Sequence, residues 1–252
     1  MKPPFRIAVL ECAQPLPSVQ EKYGTYGDIF RVLLQSGADT LGMPEVVSSK
    51  KGLEVSKWDV VYKQEYPSLE DVDAVLMSGS QFTAFHDDPW ILKLVDYTKK
   101  ILAQRRVRVI GVCFGHQIIA RAMGAKVGQN ADGWEIAVTP MDLTAKGKEL
   151  FKVDRLNIHQ MHRDIAFEHP EGVEALGSSP VCSVQGMYAK GRLISVQGHP
   201  EFNQEIETII IKARHAQGIF TDALFEDAMG RVGKHHDGAE VSAAFLRFLL
   251  ED

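Results

Sequence analysis

The chain is poor in cysteine: Cys12, Cys113 and Cys182 are the only three in 252 residues, odd in number and widely separated. That excludes a disulfide framework and a zinc knuckle, both of which need several cysteines at short spacings. Long apolar runs are missing too. No stretch reaches the ~20 residues of a membrane-spanning helix, and the opening "MKPPFRIAVLECAQ" lacks the charged lead, long hydrophobic region and small-residue cleavage site of a secretory signal. A cytoplasmic protein with no membrane association is expected. Positive charge is also short, with 28 Lys and Arg against 33 Asp and Glu and a formal net charge of -5. Without a basic stripe to neutralise phosphates, no nucleic-acid partner is expected. No repeat, linker or low-complexity segment interrupts the sequence, so residues 1–252 read as one domain.

What is present is apolar sequence, 45% of residues, enough to bury a large core. It is distributed as short β-branched runs alternating with longer amphipathic ones. "FRIAVL" (5–10), "WDVVYK" (58–63), "DAVLMS" (73–78) and "RVRVIGVC" (106–113) read as strands, and 26–37 and 89–104 as helices, the second with Asp88 as N-cap and Pro89 at the first helical position. That alternation is the pattern of an α/β fold with a mostly parallel sheet between helices. From 135 to 198 strand-like runs (135–141, 156–160, 173–179, 181–191, 192–198) follow one another closely across Gly and Pro turns, which predicts a small antiparallel extension. Two helices, 203–218 and 238–252, close the chain.

Within "RVRVIGVCFGHQIIARAMGA" (106–125), Cys113 stands where an apolar run turns at once into a helical one, with Gly111 and Gly115 on either side. This arrangement resembles a nucleophile elbow. A helix N-terminus favours the thiolate through its free N–H groups and dipole, and those same amides are donors for an oxyanion. A small buried cysteine in a tight strand-to-helix turn is the alternative reading of the same residues. A second apolar run ends in glycine at "ISVQGHPEF" (194–202) and delivers His199 and, two residues on, Glu201. A thiol nucleophile needs a base, and the base needs a group to fix its tautomer; His199 and Glu201 fit these two roles, with Pro200 restricting the backbone between them.

"GVCFGHQ" followed by "GHPE" resembles the class I glutamine amidotransferase superfamily. The resemblance implies a flavodoxin-like three-layer fold and a Cys-His-Glu triad that hydrolyses a γ-glutamyl amide, with Cys113 as nucleophile, His199 as base and Glu201 as its orienting partner. It further implies that the backbone N–H groups of Gly79, in "LMSGSQF", and Phe114 form the oxyanion hole, and that Gln117 contacts the γ-glutamyl group. "KYGTYGDIF", "SGSQFTAF", "HQMHRD" and "QGHPEFNQEI" extend the likeness to a free-standing branch that includes plant γ-glutamyl peptidases and related fungal proteins, with "SGSQFTAF" departing from the Pro-His-Asp-like run expected of plant members. In that branch "HQMHRD" implies that His162, Arg163 and Asp164 lie near the α-amino and α-carboxylate groups of the substrate.

The expected function is a hydrolase of γ-glutamyl amide or peptide bonds acting on glutamine, glutathione or a glutathione conjugate, with no cofactor. A glutaminase subunit feeding ammonia to a separate synthase and a non-catalytic binding protein on the same scaffold are the alternatives; no attached synthase domain is read from the sequence. Other candidates carry less. The two histidines of "HQMHRD" have no third ligand at suitable spacing, so no metal is expected. Cys12 and Cys182 read as buried structural thiols, "GKHHDG" (233–238) as a solvated loop, and Trp58, Trp90 and Trp134 as core or rim packing.

Overall fold

A computed structural model describes residues 1–251; residue 252, the end of the expected last helix, lies outside the described residues. The first half runs β1 (Phe5–Glu11), α1 (Pro17–Tyr23), α2 (Tyr26–Leu41), β2 (Leu53–Asp59), β3 (Ala74–Met77), α3 (Pro89–Ala103), β4 (Arg108–Val112) and α4 (Phe114–Ala122). The second runs β5 (Val127–Gln129), β6 (Glu135–Leu143), α5 (Ala145–Phe151), β7 (Arg155–His162), β8 (Asp164–Ala166), β9 (Glu174–Ser178), β10 (Gly186–Ala189), β11 (Leu193–Val196), α6 (Gln204–Ala216), α7 (Asp222–Arg231) and α8 (Gly238–Leu250).

Among the described residues, nine strands form one sheet in the order β2-β1-β3-β4-β11-β10-β9-β6-β7. The strands β2, β1, β3, β4 and β11 are parallel, and β10, β9, β6 and β7 continue the sheet antiparallel. β5 and β8 pair in a separate two-stranded antiparallel sheet. The fold is therefore α/β, a mostly parallel central sheet between helices with an antiparallel extension. Buried on both faces, β3 and β4 are apolar at nearly every position, as parallel strands between helix layers must be. In β1, Phe5, Ile7 and Val9 enter one core with Phe30 and Leu34 of α2 and Phe245 of α8, while Ala8 and Leu10 enter the other with Ile91 of α3 and Ile119 of α4. Each fully buried Phe, Ile, Leu or Val side chain among these stabilises the fold by about 1.5–3 kcal/mol. α6 and α7 pack a third cluster, including Phe202, Ile206 and Phe220, over the β6 and β7 end.

Two expectations are corrected. The strand expected at 58–63 is the edge strand β2, displaced to Leu53–Asp59. It stops at Asp59 because that carboxylate accepts hydrogen bonds from the Val61 and Tyr62 amides (3.0 and 2.8 Å) and turns the chain. "GKHHDG" is not simply a solvated loop. His235 is exposed, but Asp237 is buried and accepts from the Asn157 amide at 2.6 Å, and the His236 ring packs on buried His159 with centroids 4.6 Å apart.

Candidate active site

Cys113 follows β4 directly and is the N-cap of α4, with φ 51° and ψ -103°. A non-glycine residue in this region is strained, and its side chain makes no capping bond, so the thiol is turned out of the helix. The flanking glycines are required by close approach rather than by their own dihedrals. A Cβ on Gly115 would lie 2.5 Å from the Met77 carbonyl oxygen, and one on Gly111 would lie 2.6 Å from Ile119 Cδ1. Cys113 N donates to Val196 O at 3.0 Å, which ties the elbow to β11, the neighbouring strand.

β11 carries the second half of the site. Val196 pairs with Val112, so the chain leaving β11 arrives beside the elbow three residues later at His199, whose own amide donates to His159 O at 2.7 Å. The His199 side chain lies beside Cys113 and hydrogen-bonds Glu201, with Nδ1 2.8 Å from Glu201 Oε1. Phe202 stacks on the imidazole, centroids 4.1 Å apart and planes 7° from parallel. Burial disfavours the charged ring, but attraction to Cys113 and Glu201 and the Glu201 hydrogen bond outweigh it, and His199 is held well above the usual imidazole range. All three side chains are buried.

Gly79 follows β3 on the other flank of β4, and a Cβ there would meet His199 Cε1 at 2.6 Å and Cys113 Cβ at 3.6 Å. Its amide and that of Phe114 have no acceptor among the described residues, which leaves two N–H donors beside the thiol. A cavity of about 210 Å³ opens on Cys113. Its lining is largely polar and brings in Gln117, His162, Arg163 and Asp164 from elements far apart in the chain. Gln117 Nε2 donates to the Asp164 carbonyl at 2.7 Å and to Gln197 at 3.1 Å, so α4 holds the start of β8 against the pocket. His162 Nε2 lies 3.0 Å from buried Glu135, which also accepts from Gln185 at 2.7 Å.

The family model for glutamine amidotransferase class-I matches residues 44–213. A glutamine amidotransferase-like protein of Schizosaccharomyces pombe is 36% identical over 98% of this chain and 99% of its own. The chain belongs to the class I glutamine amidotransferase family. Gamma-glutamyl peptidase 2 of Arabidopsis thaliana is 31% identical over 91% of this amidotransferase-family chain and 89% of its own length. A solved glutamine amidotransferase of Methylobacillus flagellatus superposes with a TM-score of 0.70 at 20% identity, covering 100% of this chain and 97% of that one, which shows a shared fold.

Within this amidotransferase-family chain the other two thiols stand apart from the site. Burial pushes Cys12 and Cys182 up to about 12, which leaves both protonated and unreactive at neutral pH. Of the tryptophans, Trp90 stacks on Phe114 behind the elbow, Trp58 packs half-buried against the core, and Trp134 lines the Cys113 cavity. Two residues at the site carried no signal in the sequence. Glu207 of α6 is fully buried, accepts from the Ala137 amide at 3.3 Å, and burial pushes its carboxyl up to about 8. Arg214, also of α6, lies at the same cavity as Cys113. Both are charges on an amphipathic helix, and only the placement of α6 against the site turns them inward.

Proposed function

We propose that this chain is a cysteine-dependent hydrolase of γ-glutamyl amide or peptide bonds, a γ-glutamyl peptidase acting on glutathione or its conjugates. One observation carries the choice of a substituted amine over ammonia. His199 lines not only the elbow but a second cavity of about 270 Å³, walled by Leu16, Val19, Phe202 and Ile210, for which ammonia has no use. The Arabidopsis gamma-glutamyl peptidases among the relatives support the same reading.

In the reaction, Cys113 sulfur attacks the γ-carbonyl carbon, the S–C bond forms and the carbonyl electron pair moves to oxygen, held by the Gly79 and Phe114 amides. The imidazolium of His199, oriented by Glu201, gives its proton to the amine nitrogen as the C–N bond breaks. Water then attacks the thioester and passes a proton to His199, the S–C bond breaks, and glutamate leaves. The raised His199 titration supports a proton already on the ring when substrate binds. Purified protein alone is expected to release Cys-Gly, or its S-substituted form, from glutathione or a conjugate with higher kcat/KM than it releases ammonia from glutamine. If glutamine is the better substrate, or activity needs a second protein, the chain is instead a glutaminase subunit.

A further inference from the structure

Two cavities meet at the Cys113–His199 pair, and they differ in chemistry. The one on Cys113 is walled by Gln117, His162, Arg163 and Asp164; the one on His199 is walled mainly by aliphatic and aromatic side chains from the segment before α1 and from α6. A γ-glutamyl group is a zwitterion and suits the first, which leaves the amine half of the substrate to the second. Arg214 stands at the junction, lining both. Its guanidinium lies over the Trp134 ring, 5.1 Å from the centroid, and makes no hydrogen bond or ion pair among the described residues. Burial lowers its affinity for its proton, and attraction across space to Cys113, Tyr26 and Glu207 only partly offsets this, so the cation is partly stripped of water with no hydrogen-bonded carboxylate beside it. The γ-glutamyl half already has the cation of Arg163 in its own pocket, whereas on the leaving-group side Arg214 is the cation among the lining residues.

We infer that Arg214 is a specificity-determining residue that binds a carboxylate on the leaving amine, and that the apolar cavity beside it takes that amine's side chain. This deepens the γ-glutamyl peptidase reading and rests on it. The preferred substrates are then γ-glutamyl amides of amino acids or peptides that carry both an apolar substituent and a carboxylate. Planar, bidentate pairing with a carboxylate is the interaction a guanidinium is shaped for, and in a site poor in water it separates acids from neutral analogues strongly.

The test compares three substrates on the intact protein: γ-glutamyl-leucine, γ-glutamyl-glycine, and the γ-glutamyl amide of 3-methylbutylamine, which is the leucine compound without its carboxylate. Wild type is expected to favour leucine over glycine about tenfold in kcat/KM, from burial of the side chain. It should favour leucine over the methylbutylamide by about tenfold to a hundredfold, from the charged hydrogen bonds. In Arg214→Gln the leucine-to-methylbutylamide ratio falls towards one, and in Arg214→Lys part of it remains; the readout is a ratio within each variant, so a general loss of rate does not mimic it. A wild-type ratio near one overturns the inference. So does a ratio unchanged in Arg214→Gln, which would assign the guanidinium to the γ-glutamyl half. Hydrolysis of none of the three overturns the peptidase reading itself, and the subsite with it.

Discussion

Replacing Gly79 by alanine tests how tightly His199, the proposed base, is held. The added methyl would sit 2.6 Å from His199 Cε1 and 3.6 Å from Cys113 Cβ. Carbon atoms rest at ~3.5–4.0 Å, so the imidazole has to retreat by about 1 Å. It has little freedom to do so otherwise, since Glu201 holds Nδ1 at 2.8 Å and Phe202 stacks on the ring at 4.1 Å. A misplacement of about 1 Å in a catalytic group costs on the order of 10²-fold, or about 2.7 kcal/mol of barrier. The Gly79 backbone is not in the left-handed region, so alanine is conformationally acceptable, and the variant keeps its N–H. The loss therefore reports displacement of His199 rather than a missing donor. The assay is kcat on a glutathione conjugate with thermal unfolding in parallel. Gly230→Ala in α7, where a Cβ meets nothing within 4 Å, is the control; it is expected to gain roughly 0.5–1 kcal/mol of stability at unchanged rate. A folded Gly79→Ala enzyme that retains more than about a third of wild-type kcat refutes the geometric argument.

Cys113→Ser and His199→Ala are each expected to abolish hydrolysis in folded protein, and Glu201→Gln to reduce it less, while Cys12→Ser and Cys182→Ser keep it; a rate that survives loss of Cys113, measured with purified variants, removes the thiol from the mechanism. Glu207 makes a stability prediction. Its carboxyl is raised to about 8 in the fold against an ordinary value near 4.5, so the folded state holds a proton that the unfolded chain has lost, and this group's contribution falls as pH rises from 4.5 to 8. The slope is about 1.4 kcal/mol per pH unit between those values. Glu207→Gln, which can still accept from the Ala137 amide, should remove it, so unfolding free energies of the two proteins should diverge across that window; parallel curves would mean that Glu207 is not buried as a neutral acid.

The elbow was legible because its cause is local. An apolar strand, a cysteine and two close-approach glycines are contiguous, and the second apolar strand ending in "GHPE" is equally compact in sequence. The parallel strands were legible for the same reason, since burial on both faces leaves an uninterrupted apolar run. β2 was displaced because an edge strand is half exposed: Glu54, Ser56 and Lys57 dilute its pattern, while the apolar Val60 and Val61 just beyond it are buried in a turn set by the Asp59 carboxylate. α5 and α7 had capping signals in Thr144 and Thr221, whose hydroxyls accept from Gly147 and Leu224 amides, but they are only 7 and 10 residues long and sit among turn-rich sequence. Arg214 and Glu207 could not be read at all. A basic residue in the last turn of a helix is ordinary dipole compensation, and an acidic one in the first turn likewise, until tertiary packing takes water from them.

The register of Val112 with Val196 fixes more than geometry. Cys113 and His199 follow one and three residues after the ends of adjacent interior strands, which lie ~4.8 Å apart by the demands of the ladder alone. Separating them means rupturing the middle of the sheet, whereas the wall of the second cavity is built largely on α6, which lies outside that sheet. If the proposed subsite holds, chemistry and substrate choice rest on parts of the molecule that open separately, the sheet interior being the harder to open. On the proposed reading, warming should blunt discrimination between γ-glutamyl amides of different amines well before hydrolysis itself stops.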